Sequence, residues 1–290
     1  MLALLINEAR HRGLPAAVLT FEPHPRDFFA MRAGAPESAP ARVATLRDKL
    51  AELERCGIEQ TVVLPFDDAL ASHTPAAFVE GVLVAGFGAR YVLVGDDFRF
   101  GAKRAGDYAT LDAAGAVHGF DVARMQSYEV HGLRVSSSAV RNALAAGDMT
   151  RAAALLGRPY SISGHVLHGA KLGRELGFRT LNLHFAHPRP AAAGIFVVRV
   201  HGLTDTPLRG VASLGKRPTV DDSGRVLLET HVLDWPASLG SDAGYGRLVT
   251  VELLHWLHEE RRYASLDELR EGISADTTAA RTWWQQHAGA

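Results

Sequence analysis

The sequence predicts an α/β domain built on a parallel sheet, followed by a small antiparallel β-barrel that ends in a helix. Three observations carry this. A length of 290 residues suits two domains at about 150 residues each. In the first half, short apolar runs alternate with helical patterns, as in strands buried between helices. After about residue 150, strand-like runs follow one another closely, divided by Gly, Pro and Asp turns, as in a small barrel. The domains are accordingly placed at 1–150 and 158–290, with the boundary in the short helical stretch 148–157.

The elements follow in order. Strands are expected at 16–21 (AAVLTF), 61–66 (TVVLPF), 91–95 (YVLVG) and 120–125 (FDVARM). Helices are expected at 1–12, at 44–56 opened by Thr45, at 75–86 opened by Thr74-Pro75, and at 137–145 with Ser136 as N-cap. The segment 31–41 is small, polar and proline-bearing, and reads as a surface loop. In the second half, strands are expected at 159–168, 194–203, 208–214, 226–234 and 247–257, and a final helix at 265–286.

Composition excludes several classes. Hydrophobic residues make up 47% and charged residues 22%, the balance of a soluble globular protein rather than of a disordered chain, collagen or long coiled coil. With 31 Lys and Arg against 32 Asp and Glu, the net charge is -1, which carries no nucleic-acid or membrane-surface footprint. The single Cys56 excludes an intramolecular disulfide and a Cys-rich metal site, and fits the reducing cytoplasm. No apolar run reaches the length of a membrane span, and the start MLALLINEARHRG lacks the features of a signal peptide.

Three clusters in the first half sit at the carboxyl ends of expected strands or at a helix start, where open α/β sheets bind ligands. In Phe21-Glu22-Pro23-His24-Pro25, the prolines hold Glu22 and His24 extended, presenting His24 as a donor to an anionic oxygen. In Gly95-Asp96-Asp97-Phe98-Arg99-Phe100-Gly101, Phe98 and Phe100 could enclose a flat ring and Asp97 could accept from a ring or sugar group. In Val135-Ser136-Ser137-Ser138-Ala139-Val140-Arg141, hydroxyls and free N–H groups at a helix start suit phosphate, and Arg141 shares a face with Ser137 and Ser138. Each alone has a plain structural alternative: a rigid turn, a hydrophobic turn at the sheet edge, a simple N-cap.

The second half carries one long signature. Gly164 to Asn182 is rich in glycine, so the run can wrap phosphates through Gly169 and Gly173, with Lys171 and Arg174 adding positive charge. Thr180 and Asn182 point the same way in an extended segment, and two neutral oxygens side by side suit a hydrated Mg²⁺. Glu229, in LLETHVLDW, shares a face with Leu227 and His231 and is a candidate general base, unless it simply faces outward. His165-x-x-His168 and His255-x-x-His258 are better explained as structural or surface histidines than as metal ligands.

These motifs, in this order, resemble the bacterial bifunctional riboflavin kinase and FMN adenylyltransferase (FAD synthetase) family over nearly the whole chain. FEPHP, GDDFRFG with Arg104 and Gly106-Asp107, and SSSAVR resemble the adenylyltransferase half. The glycine-rich run, GKRPTV (215–220), LETHVLD (228–234) and Tyr245-Gly246 resemble the kinase half. The resemblance implies an α/β Rossmann-like nucleotidyltransferase domain and a β-barrel riboflavin kinase domain. It implies ATP as co-substrate, Mg²⁺ as cofactor, and riboflavin, FMN and FAD as substrates and products. Thr180 and Asn182 would bind Mg²⁺ and phosphate, and Glu229 would take the proton from the ribityl hydroxyl. Ser137, Ser138 and Arg141 would hold ATP phosphates, with Asp97 near the flavin or nucleotide.

Departures accompany the likeness. The family's H-x-G-H phosphate loop is absent from the sequence, and Met1 falls inside what reads as the first helix. That implies either a mis-called internal Met or a crippled adenylyltransferase. The family's Pro-Thr-Ala-Asn is here Arg179-Thr180-Leu181-Asn182, Ser213 stands in place of Asn, and His258 in place of Arg, which bears on flavin affinity. The alternatives are a riboflavin kinase alone, or a non-catalytic flavin- or nucleotide-binding protein.

Overall fold

The computed structural model describes residues 1–125, 129–130, 133–168, 177–216, 226–240 and 244–287. The chain forms two compact units, Met1–Pro40 with Lys49–Arg134, and Ala41–Asp48 with Val135–Ala290.

In the first unit, α1 (Leu2–Arg12) ends on Gly13, whose φ of 65° gives the left-handed turn that releases the chain. Strand β1 (Ala17–Glu22) pairs in parallel with β2 (Gln60–Pro65), from Ala17 opposite Gln60 to Glu22 opposite Pro65. Between them lie α2 (Pro25–Arg32) and α3 (Leu46–Arg55). The helix α2 was not foreseen, because its eight residues follow a proline-rich turn. Pro25 at its first position and the His24 cap explain its start. Next come α4 (Asp68–Ser72) and α5 (Pro75–Phe78), capped by the Asp67 and Thr74 side chains. The helix expected over 75–86 is one α turn that continues as a π-helix over Val79–Gly86. Strand β3 (Tyr91–Gly95) and β4 (Asp121–Met125) form a second parallel pair joined through α6 (Tyr108–His118). Phe78, Val79, Leu83, Val94, Phe100, Leu111 and Phe120 make the core, with Leu19 and Phe21 of β1 packed against it. The expected parallel sheet is thus present among the described residues as two separate pairs. A short antiparallel pair, β5 (Glu129–Val130) and β6 (Leu133–Arg134), follows.

The second unit is the expected antiparallel barrel. Its strands are β7 (Tyr160–His165), β8 (Thr180–Phe185), β9 (Gly194–His201), β10 (Leu208–Lys216), β11 (Val226–Val232) and β12 (Leu248–His258). They are ordered β7-β12-β9-β10-β11-β8. Just past β7, the Leu167 N–H donates to the Asn182 carbonyl of β8 at 2.8 Å, which brings the two end strands together. Ile162, Leu183, Phe196, Val198, Leu214, Leu228 and Val251 fill the interior. Helices α7 (Ser137–Ala145) and α8 (Met149–Leu156) add Val140, Leu144, Ala152 and Leu155 to that core. The segment 41–48 is held by Arg42, bonded through its backbone to Arg189 and Ala191, and by Asp48, whose carboxylate accepts from the Ser163 N–H and hydroxyl. The last helix, α9 (Leu266–Gln286), starts on the Ser265 cap and lays Ala280 and Trp284 against Val197 and Val211 on the outer face.

Candidate functional site

Strand alternation builds the centre of the second unit. On β11, Val226, Leu228, Thr230 and Val232 are buried, so Leu227, Glu229 and His231 stand on the opposite face. The register sets Glu229 between Asn182 of β8 and Ser213 of β10. Directly opposed residues lie about 5 Å apart at Cβ, so the three side chains form one row. Asn182 is only 7% exposed, and among the described residues its Oδ1 has no hydrogen-bond partner. A buried acceptor so placed can take a hydrogen bond from a water or a bound group without giving up a partner among the described residues. Thr180, two residues earlier on the same strand, is opposite His231. A carboxylate in line with neutral side-chain oxygens is a set that suits a metal-nucleotide and an alcohol.

Neighbouring contacts shape this row. The Ser213 hydroxyl donates to Glu260 Oε1 at 2.7 Å, and that carboxylate occupies the space a side chain at Gly215 would need. His231 Nδ1 lies 2.9 Å from the Arg179 carbonyl, which can only accept, so the proton sits on Nδ1. Burial pushes the His231 pKa down, ahead of the opposing effects of the Arg179 carbonyl and Asp234, and Arg281 lowers it further. His168 stacks on Tyr245 with ring centroids 3.8 Å apart. Gly169, Lys171, Gly173 and Arg174 lie outside the described residues.

The first-half clusters divide between the two units. His24, Asp97 and Phe98 belong to the first, and Ser137, Ser138 and Arg141 to the second. His24 is extended as expected, and its Nδ1 accepts from the Arg26 N–H at 3.2 Å, capping α2. Accepting there leaves the neutral ring's proton on Nε2, the nitrogen able to donate to an anion. Asp97 is exposed. Phe98 and Phe100 correct one expectation: they stack on each other at 5.4 Å and 18°, so no ring fits between them. Phe100 is buried in the core, because the turn at the sheet edge needs an apolar filling. Ser136 caps α7 through the Ala139 N–H, with Ser137 and Ser138 exposed beside it. Arg141 shares that helix, and its Nε donates to the Ala41 carbonyl at 2.6 Å.

The paired histidines have separate partners. His165 Nδ1 contacts the Gly246 carbonyl, His255 stacks on Trp283, and His258 Nε2 lies 2.7 Å from Asp276. Sequence reasoning missed Glu260 and the bond from His231 to Arg179. Strand alternation does place His231 on the Glu229 face, but no local pattern indicates which carbonyl it meets.

Comparison with known proteins then decides the family. The family model described as FAD synthetase matches residues 1–139, and that described as riboflavin kinase matches residues 156–284. The chain belongs to the bifunctional riboflavin kinase/FMN adenylyltransferase family. The Escherichia coli K12 protein of that name is 42% identical over 280 residues, covering 97% of this chain and 86% of the relative. Its Pseudomonas fluorescens counterpart is 44% identical over 281 residues, with the same coverage. Among solved structures, a Streptococcus pneumoniae protein described as a macrolide-efflux protein superposes with a TM-score of 0.73 at 26% identity, covering 97% of this chain and 88% of that one. Efflux is said of that protein alone; among the described residues here, no helix is long and apolar enough to cross a membrane. Membership in the riboflavin kinase/FMN adenylyltransferase family accounts for both halves of the chain: an α/β nucleotidyltransferase-like unit and a six-stranded barrel with its terminal helix.

Proposed function

We infer that this chain serves flavin cofactor biosynthesis in two steps, as a phosphotransferase and a nucleotidyltransferase. Riboflavin and ATP give FMN and ADP in the barrel, and FMN and a second ATP give FAD and pyrophosphate in the α/β part. The observation that carries the reading is the row Asn182, Glu229 and Ser213, with a buried Asn182 oxygen that has no hydrogen-bond partner among the described residues beside a carboxylate, inside the region matched to riboflavin kinases.

In the first step, Glu229 takes the proton of the ribityl hydroxyl as that oxygen attacks the γ-phosphorus of ATP and ADP departs. Thr180 and Asn182 would hold Mg²⁺, which neutralises phosphate charge when bound, and their neutral oxygens suit that hydrated ion. Gly169, Lys171, Gly173 and Arg174 would wrap the phosphates. In the second step, a phosphate oxygen of FMN attacks the α-phosphorus of ATP and pyrophosphate leaves. His24 would meet a phosphate of ATP, Asp97 and Phe98 would lie near the flavin or nucleotide, and Ser137, Ser138 and Arg141 would offer phosphate-binding groups at their helix start. A reducing cytoplasm suits the lone thiol of Cys56.

Purified chain incubated with riboflavin and MgATP, with products separated by chromatography, tests this directly. FMN followed by FAD is the expected outcome. FMN that accumulates without FAD narrows the reading to a kinase, and the absence of both products removes it.

A further inference from the structure

We propose that His231, assisted by Trp235, is a positioning residue that sets Thr180 and Asn182 toward MgATP by clamping the backbone immediately upstream of them. The proposal rests on the reading that these two residues face the nucleotide.

The chain enters β8 through Gly177, whose φ of 87° turns it, and only Phe178 and Arg179 separate that turn from Thr180. Both are held from the β11 side. The Nδ1–H of His231 donates to the Arg179 carbonyl at 2.9 Å. The Phe178 ring meets the same imidazole edge-on, with centroids 5.4 Å apart and planes at 87°. The Arg179 guanidinium lies over the Trp235 ring at 5.0 Å, and the Trp235 indole N–H is fixed in turn on the Leu239 carbonyl at 3.1 Å.

The register shows why this matters. His231 is the cross-strand partner of Thr180, and its side chain reaches back one residue to bond Arg179, extending the ladder by one position. The two oxygens expected to meet metal and phosphate therefore start from a fixed backbone instead of a free loop end. A neutral imidazole performs this role fully, since only its Nδ1–H is needed. Arg179 also lacks the fixed φ that a proline at this position would supply, so the clamp takes over a constraint the residue itself does not provide.

Two polar replacements distinguish a donor at the right place from mere bulk. His231→Asn keeps an N–H donor where Nδ1 stood, whereas His231→Gln carries its donor about one bond further out. In full-length protein, His231→Gln is expected to raise both the KM for MgATP and the calorimetric Kd for MgADP by about 10-fold, the usual scale for losing an outer supporting bond. The riboflavin KM and the unfolding temperature are expected to stay near those of the parent. His231→Asn is expected to restore nucleotide binding. Parental MgADP binding in His231→Gln overturns the clamp, as does equal loss in both variants. Asn182→Leu serves as the reference. If it weakens MgADP binding while His231→Gln does not, the clamp alone fails. If it leaves MgADP binding unchanged, the underlying reading of Asn182 fails and takes the clamp with it.

Discussion

Strand β9 in the barrel and strand β1 in the α/β unit are both short apolar runs, yet they are buried to very different depths. Phe196, Val197 and Val198 are wholly inaccessible, whereas every residue of β1 keeps some exposure. The difference lies in their neighbours. β9 is bonded on both edges, to β12 and β10, and covered by α9, while β1 has one described partner, β2. Apolar character therefore identifies a strand, but the number of elements around it sets how much surface leaves water, and so how much it stabilises.

If that contrast governs stability, the barrel should be the more resistant unit. All four tryptophans, Trp235, Trp256, Trp283 and Trp284, lie in the second unit, so their fluorescence reports on it alone. On adding guanidinium, far-UV dichroism is expected to begin falling before tryptophan fluorescence changes; coincident curves would remove the distinction. Leu228→Ala in the barrel interior is expected to cost about 2–5 kcal/mol, read from the fluorescence transition. Leu19→Ala on half-buried β1 is expected to cost less than half as much and to leave that transition in place. Asp48→Ala strands the Ser163 N–H and hydroxyl, and a loss of about 1–3 kcal/mol is expected in the fluorescence-detected transition.

The smallest effect concerns pH. Burial holds the His231 pKa below its ordinary 6.5, so between the folded and unfolded values the unfolded chain binds more protons. Stability from this group is complete above 6.5 and is lost as pH falls through the lowered folded value. The barrel unfolding temperature of His231→Asn is accordingly expected to fall less on acidification than that of the parent. An identical pH dependence in both would exclude His231 as its source.

Much of this architecture was legible in the sequence, and the exceptions have physical reasons. The parallel strands and five of the six barrel strands fall where apolar runs and turn residues place them, because period-two burial leaves a local trace, whereas β8 was read only as an extended segment at the end of the glycine-rich run. The helix α6 left little trace, since its Ala- and Gly-rich sequence buries only Leu111 and Gly115, too few for a clear stripe. Strand alternation sets Thr180 and Asn182 on one face of their segment and Glu229 on the face of His231, as the register of β8 and β11 has them. The meeting of Asn182 with Glu229, the Ser213–Glu260 bond and the His231–Arg179 bond depend on register between strands distant in sequence, which no local pattern encodes. Phe98 and Phe100 show the opposite error: residue types suited to a flavin also suit a core, and the core claimed Phe100.

The two halves are assigned different reactions, and one variant separates them. Glu229→Gln in the full chain should be given riboflavin with MgATP in one assay and FMN with MgATP in another. The expected result is FMN formation lowered by about 10²–10⁴-fold, the range of a lost general base, with FAD formation from supplied FMN at the parental rate. Parental FMN formation in the variant, or loss of both activities together in a folded protein, would contradict the assignment.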